Sequence, residues 1–184
     1  MMKGNRKFKS YIQLMCIFLT ISFLNSCSKP VSYKIFSNEY FTFNYPKEWF
    51  VSSSENVITV TGPIEDVYFV NAKFAFDPEA NTSLDEFKKT VEKNNPLSAL
   101  PGGYIDGGEK ELTISGLPAI RHSLKTFVKP VETAPNIALF VNLIYIVSKD
   151  QKIGVVITTE VPERFSLKYE ESFDSIINSF RFKQ

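Results

Sequence analysis

The stretch 137-IALFVNLIYIVS-148 is apolar at nearly every position, with Asn142 as the exception. A strand with one solvated face alternates apolar and polar residues, whereas a strand covered on both faces reads as an almost continuous apolar run. The polar residues 149–152 then make a turn, and residues 153–161 return with apolar side chains on one side. This pattern predicts a hairpin whose first strand is covered on both faces. The charged turn argues against a membrane span, which needs about 20 apolar residues.

Further strands are predicted on both sides of this hairpin. Alternating or apolar runs bounded by Pro and Gly indicate strands at residues 40–46, 56–61, 67–76, 109–115 and 119–128. Pro46, Gly62-Pro63 and Asp77-Pro78 are expected to end the first three of these strands. The closing residues 179–182 alternate again and are expected to form a short final strand or an extended tail.

Two amphipathic helices are predicted among these strands. Ser83 and Glu86 form a capping box, in which each side chain satisfies an otherwise unpaired amide. Pro162, a favoured first-turn residue, is expected to open the second helix. The apolar stripe of that helix is interpreted as a core face formed by Phe165, Tyr169, Phe173, Ile176, Ile177 and Phe180. Two widely separated helices in a strand-rich order predict a single α+β domain.

The N-terminal segment has the layout of an export signal. Basic residues precede an apolar run at 11–23, which is too short for the roughly 20 residues of a membrane span. The next residues, Leu24-Asn25-Ser26-Cys27, look like the lipobox of a bacterial lipoprotein. Residues 1–26 are therefore expected to leave as a signal peptide, and Cys27 is expected to carry a diacylglycerol and a fatty acyl chain such as palmitate. An uncleaved membrane anchor is the alternative.

Such processing would attach the protein to a membrane of the bacterial cell envelope. Each buried CH₂ group contributes about 0.8 kcal/mol, so three acyl chains would hold the protein durably. Residues 27–37 are expected to form a lipidated tether and residues 38–184 the globular domain. Ser28 occupies the position where an Asp often retains such proteins in the inner membrane, so an outer-membrane destination is expected.

Charge and cysteine content exclude several kinds of site. Loss of the four basic residues of the signal would change the net charge from +1 to −3, which argues against nucleic-acid binding. Of the two cysteines, Cys16 would leave with the signal and Cys27 would be alkylated. The domain is then expected to contain neither a disulfide nor a metal site built from thiolates.

Residues 97–108 are interpreted as a long loop, and loops of this length in a compact domain are often functional. The loop lacks the G-x-x-x-x-G-K-S/T pattern of a phosphate cradle. Apolar side chains in a loop can mark a contact surface, which makes four residues the candidate partner-binding site: Leu97, Leu100, Tyr104 and Ile105. The alternative is that these side chains fold back onto the core.

No catalytic residue and no metal site is predicted. His122 is the one histidine of the chain, and it shares a predicted strand face with Ile120 and Leu124. A histidine on such a face is interpreted as a packed, hydrogen-bonded residue, since a metal needs further ligands and a general base needs a partner. Asp77 and Glu79 flank a proline and are interpreted as turn residues.

Three motifs point to a known family. Residues 40–49, YFTFNYPKEW, resemble an opening pattern Y-x-F-x-Y-P-x-x-W. Residues 115–121, SGLPAIR, resemble a G-x-P-A turn, and residues 176–182, IINSFRF, resemble a helix ending in S-F-x-F. Together they resemble the PsbP-like proteins, a group with DcrB-like bacterial lipoproteins among its relatives. The resemblance spans residues 33–182. It implies an antiparallel sheet with α-helices packed on its faces, and it brings no catalytic residue, metal ligand or cofactor to this sequence.

The sequence thus favours a non-catalytic binding or assembly accessory module, tethered to the envelope and docking on an envelope protein. The first alternative is a carrier or sensor of a small apolar ligand, whose pocket would be lined by Tyr40, Phe41, Tyr68 and Phe69. The second alternative is a hydrolase. It is disfavoured because serine catalysis needs a base, and only His122 could supply one.

Overall fold

Two antiparallel sheets and two α-helices make up the described part of the chain, which is residues 31–100, 102–129 and 135–183 of this computed structural model. The elements in chain order are β1 (Tyr33–Ser37), β2 (Phe41–Pro46), β3 (Phe50–Ser54), β4 (Val57–Glu65), β5 (Tyr68–Asp77), α1 (Leu84–Asn94), β6 (Tyr104–Ile114), β7 (Leu117–Val128), β8 (Ile137–Val147), β9 (Gly154–Pro162), α2 (Ser166–Ser179) and β10 (Arg181–Phe182). Short 3₁₀ turns at Leu97–Ala99 and Glu163–Phe165 precede β6 and α2. The predicted signal peptide, residues 1–26, and Cys27 lie outside the described residues.

The larger sheet has seven strands in the order β3-β4-β5-β9-β8-β7-β6. Its inner strand β8 pairs with β7 on one side and β9 on the other. Along β8, Ile144 and Ile146 join one core cluster, whereas Tyr145 and Val147 join another. Both faces of β8 are therefore covered by protein, which confirms the interpretation of its continuous apolar run.

The main core lies on the face of this sheet that carries α2 and the small sheet β1-β2-β10. Aromatic rings dominate it: the ring centroids of Phe43 and Phe74 are 4.1 Å apart, and Trp49 meets Phe173 edge-on at 5.8 Å. The predicted apolar stripe of α2 is buried here, as Tyr169, Phe173, Ile176, Ile177 and the following Phe180. The small sheet is closed by the two residues of β10, which pair with β2 as the predicted final strand.

The second face of the large sheet is covered by α1. Ser83 caps this helix by accepting a hydrogen bond from the Glu86 amide at 3.4 Å, which confirms the predicted N-terminus. Phe87 packs against Tyr145, Val147 and Val156. A Cβ on Gly154 would lie 2.3 Å from the Phe87 ring, so the close approach of α1 to β9 requires glycine there. Among the described residues, no helix is both long enough and apolar enough to cross a bilayer.

The structure therefore has the predicted α+β class, with two helices packed on antiparallel sheets. The smaller, three-stranded sheet was not predicted from the sequence pattern. It forms because residues 33–37, expected in the tether, pair with β2 from Tyr33↔Pro46 to Ser37↔Thr42. The tether prediction is wrong for these five residues.

Three predicted boundaries also differ. β4 does not stop at Gly62-Pro63 but continues to Glu65, because a bulge between Thr61 and Ile64 absorbs the irregularity. Pro162 ends β9 rather than opening the helix. The predicted loop 97–108 is wrong beyond residue 103, where β6 begins; its glycines are accommodated by a bulge between Asp106 and Glu109, with Gly108 at φ +87°.

Candidate interaction surface and histidine cluster

The four predicted partner-binding residues divide into two pairs. Leu97 and Leu100 are partly buried and pack on a core cluster formed by Leu124, Leu139 and Val141. For these two leucines the structure therefore agrees with the alternative that they fold back onto the core. Tyr104 and Ile105 remain 40% and 56% exposed, but they belong to strand β6 instead of a loop.

Tyr104 and Ile105 lie at an edge of the large sheet. β6 pairs with β7 on one side, and its other side has no neighbouring strand among the described residues. Such an edge offers unpaired backbone groups to another chain, and charged side chains and bulges protect it. Asp106, the bulge, and the charged run 109–111 provide that protection here. The edge is thus a weak candidate for pairing with a partner strand.

A larger exposed apolar group occupies the hairpin between β4 and β5. Ile64 and Phe69 are direct cross-strand partners and are 57% and 52% exposed, and Val67 at the turn is 70% exposed. We call these three residues the β4–β5 tip. Asp66 and Val67 both have positive φ, at 54° and 60°. A β-branched residue rarely adopts this conformation, and such strain concentrates at functional positions.

Ionic contacts hold the tip against the C-terminal helix. Glu65 accepts a hydrogen bond from the Tyr169 hydroxyl at 2.6 Å and pairs with Lys168. Asp66 pairs with Arg164. The hydrogen bonds from Lys168 and then Tyr169 lower the pKa of Glu65. The tip therefore presents its apolar side chains from a braced hairpin.

The aromatic residues proposed to line an apolar pocket do not converge. Phe41 is fully buried in the main core, Phe69 is exposed at the tip, and Tyr68 packs on the cluster around Leu139 while its hydroxyl donates to Glu160 at 2.7 Å. A groove of about 250 Å³ between α2 and the sheet is lined partly by polar and charged groups, among them Arg121, Ser123, Asn142, Glu170 and Asp174. Neither arrangement favours an apolar ligand.

His122 lies in a cluster of charged side chains on the other face of the sheet, beside α1. Its side chain is only 8% exposed, and its Nε2 lies 2.9 Å from Asp106 Oδ1. The Nδ1 atom is 3.8 Å from Glu92 Oε1 and 3.7 Å from Glu109 Oε1. It is buried and has no hydrogen-bond partner. The prediction of a packed, hydrogen-bonded histidine is thus confirmed, but its surroundings are more polar than its strand face indicated.

Lys88 completes this cluster, which we call the histidine cluster: Lys88, Glu92, Asp106, Glu109 and His122. The Lys88 ammonium lies 2.7 Å from Glu109 Oε1 and 3.0 Å from Glu92 Oε1. Burial lowers the pKa of Lys88, but the hydrogen bonds to Glu109 and Glu92 outweigh it and leave that pKa above its usual value. The Tyr145 hydroxyl is 3.5 Å from Glu92 Oε1, and burial, followed by the charge of Glu92, raises its pKa.

Part of this cluster could have been found in the sequence. Ser115 and Gly116 have positive φ and form a two-residue turn, so Ile114 pairs with Leu117 and counting back places Glu109 opposite His122. The bulge that brings Asp106 to the same imidazole is signalled only by Gly107-Gly108. Lys88 and Glu92 are one turn apart on α1, and only the packing of that helix on β8 brings them here.

No arrangement typical of serine catalysis occurs at His122. Its hydrogen-bond partner is a carboxylate, and no serine or threonine hydroxyl in the described part of the chain bonds to its ring. Asp77 accepts a hydrogen bond from the Glu79 amide at 2.9 Å, as expected of turn residues. The described surroundings of His122 thus lack the hydroxyl nucleophile that serine catalysis requires.

Solved structures with this fold include three that align over most of the chain. Cyanobacterial PsbP (CyanoP) from Synechocystis sp. PCC 6803 aligns with a TM-score of 0.58 at 14% identity, over 87% of this chain and 99% of that one. LpqN, involved in cell envelope biogenesis of Mycobacterium tuberculosis, aligns at 0.54 and 12%, over 86% and 88%. The Saccharomyces cerevisiae Ran-binding protein Mog1p aligns at 0.54 and 12%, over 83% and 96%.

These likenesses establish a PsbP-like fold for the chain. No protein-family profile and no curated protein matches the sequence. At 12–14% identity, the similarity to CyanoP, LpqN and Mog1p concerns the fold and not the site residues.

Proposed function

We propose that this protein is a lipid-anchored accessory module of the bacterial cell envelope, which binds a protein partner and catalyses no reaction. The observation that carries the proposal is the β4–β5 tip, where Ile64, Val67 and Phe69 are all more than half exposed. Large apolar side chains grouped on a surface favour a protein contact, because burying them removes apolar area from water.

The anchor in this proposal is the lipidated Cys27. The lipobox-like Leu24-Asn25-Ser26 before it supports the lipidation, and Ser28 after it favours the outer membrane over the inner membrane. The domain would then stand at the membrane surface on a short connection, since β1 begins at Tyr33. A partner in the same envelope would meet it at high local concentration.

The fold comparisons support a binding role. LpqN is described as involved in cell envelope biogenesis, and Mog1p as a Ran-binding protein. Both descriptions concern binding or envelope assembly rather than a chemical transformation. For this chain they favour an accessory function, in which the partner is a protein of the same cell envelope.

The docking surface in this proposal is the β4–β5 tip, with Tyr104 and Ile105 on the β6 edge as a second contact. Leu97 and Leu100 are left out because they pack on the core. The tip suits docking because its backbone is braced by Glu65 and Asp66, so little conformational freedom is lost on binding.

Site-specific photo-crosslinking in native membranes tests this assignment. A photoreactive residue at Val67 is expected to capture a discrete envelope protein. The matched control is Ile35 on β1, which is 73% exposed and belongs to the smaller sheet. Equal capture from Ile35, or capture only from Ile105, would move the surface away from the tip. Capture from none of the three positions would reject the binding module itself.

A further inference from the structure

The histidine cluster contains a buried nitrogen that nothing in the described structure satisfies. The Nδ1 atom of His122 has no hydrogen-bond partner and is closed off from solvent. It points between the carboxylates of Glu92 and Glu109, at 3.8 and 3.7 Å. Leaving a buried polar atom unpaired is energetically costly, so such an atom indicates a missing ligand, ion or proton.

The position of the proton on the His122 ring indicates which kind of partner Nδ1 lacks. Asp106 accepts the hydrogen bond at 2.9 Å, so the Nε2 of His122 carries the proton. In the neutral imidazole Nδ1 is then a lone pair, and it faces two carboxylate oxygens that are also acceptors. The Lys88 ammonium offsets part of the charge of the two carboxylates, but no donor among the described residues reaches Nδ1. A cation bound among the three acceptors would satisfy all of them.

We propose that His122, Glu92 and Glu109 bind a divalent transition-metal cation of the zinc type, with Asp106 orienting the imidazole. The three ligand atoms lie within 4.8 Å of one another. Ligands around tetrahedral zinc stand about 3.4 Å apart, given bond lengths of roughly 2.0–2.2 Å. The two distances from His122 Nδ1, 3.7 and 3.8 Å, exceed this spacing by a few tenths of an ångström. The two glutamate oxygens, which lie within 4.8 Å of each other, would approach by a larger rotation of their side chains.

The donor set and its surroundings favour this class of metal. An imidazole nitrogen suits zinc and its neighbours, whereas magnesium and calcium prefer oxygen ligands. A carboxylate that accepts the second ring N–H is the usual partner of a metal-bound histidine, and Asp106 occupies that position. The Glu109 side chain is 45% exposed, so an ion could reach the cluster from solvent. Water would then supply the fourth ligand, as it does in open zinc sites.

Lys88 is the competitor for this site. Its ammonium holds both Glu92 and Glu109 in the absence of an ion and neutralises part of their charge. Its side chain is only 15% exposed but is long and rotatable, whereas His122 is fixed in the sheet. Metal and Lys88 are therefore alternative occupants of the same carboxylates, and removing the ammonium should strengthen metal binding.

Zinc titration of the full chain tests the proposal. Cys16 and Cys27 are both replaced by serine, and no histidine tag is present, so that no other strong ligand competes. Because His122 is the chain's single histidine, its ring nitrogens give one unambiguous pair of ¹⁵N signals. We expect saturable one-to-one binding by calorimetry, accompanied by a shift of the Nδ1 resonance.

Matched variants distinguish the proposed metal ligands from residues that do not bind the metal. H122Q, E92Q and E109Q are expected to lose the one-to-one binding, and D106N to weaken it by about 10–100-fold. K88M is expected to tighten it by about tenfold, the value of one charge-assisted hydrogen bond. E171Q removes an exposed carboxylate on α2 and should bind as the parent does. Circular dichroism of each variant checks that the fold is intact.

Three results would overturn the proposal. One is an unchanged His122 ring at saturating zinc, and another is undiminished binding in folded H122Q. The third is binding by K88M alone, which would make Lys88 the permanent counter-ion of the native cluster. None of these results bears on partner capture at Val67, so the two proposals fail separately.

Discussion

Val67 shows how a single residue can conflict with its backbone. It adopts φ +60° in the turn of the β4–β5 tip, a conformation that Gly and Asn adopt with little strain. Most of its side chain is exposed. The left-handed conformation costs an L-residue about 1–2 kcal/mol. Keeping a strained, exposed valine makes sense if its side chain contacts a partner, and this is why strain and exposure together support the tip as a docking surface.

Replacing Val67 with glycine should stabilise the fold while weakening binding. Relief of the left-handed strain, less the entropy that glycine adds to the unfolded chain, should raise the free energy of unfolding by about 0.5–1 kcal/mol. Denaturant unfolding measures this change. V67A is the matched control, because it removes the apolar contact but keeps a Cβ and hence most of the strain. A V67G variant no more stable than V67A would contradict the strain argument.

At the scale of elements, the β4–β5 hairpin and α2 are joined through one carboxylate. Glu65 accepts hydrogen bonds from Lys168 and Tyr169, and these lower its pKa in the folded state. A lowered folded-state pKa means that the ionised form stabilises the fold. This contribution is fully present above the ordinary pKa of glutamate, and it is lost as the pH falls through the lowered value.

E65Q should therefore be less stable than the parent at neutral pH. Its neutral amide still accepts from Tyr169 but no longer attracts Lys168. The difference in melting temperature between the two proteins should shrink as the medium is acidified through the lowered pKa of Glu65, and thermal melts at a series of pH values measure it. E171Q, on an exposed position of α2, should show no such pH-dependent difference. A gap that stays constant into strong acid would show that the charge of Glu65 is not the cause.

Element boundaries were predictable wherever a local rule governs them. The cap at Ser83 and the apolar stripe of α2 follow from side chains three or four residues apart. Residues 33–37 and 104–108 were misassigned because their strand character depends on distant partners. β1 is a strand because it pairs with β2, and the segment from Tyr104 to Gly108 belongs to a strand because β6 pairs with β7.

At the scale of the whole molecule, the proposed anchor and the folded domain lie in separate parts of the chain. The unit that the structure describes starts at Ser32, and its first fully buried core residue is Phe41, with Phe36 of β1 packed against it. An acyl chain on Cys27 would add membrane affinity without adding a contact to that core.

Replacing Cys27 with serine should consequently release the protein without unfolding it. C27S is expected to lose labelling by a palmitate analogue and to leave the membrane fraction, while its melting temperature stays that of the parent. C16S is the matched control, since that cysteine lies inside the signal, and it should be labelled normally. Membrane retention of an unlabelled C27S protein would instead favour an uncleaved anchor.

The sequence by itself determined the α+β class, the strand covered on both faces, the helix cap and the core stripe, because each depends on neighbours within one element. It also contained the register that pairs Glu109 with His122, through the short turn at Ser115-Gly116. Only the tertiary structure decided that Leu97 and Leu100 turn inward, that Ile64 and Phe69 stay outside, and that Glu92 of α1 reaches His122 of β7. Those outcomes depend on how helices pack across a sheet, and residues far apart in the chain have no local pattern that records such packing.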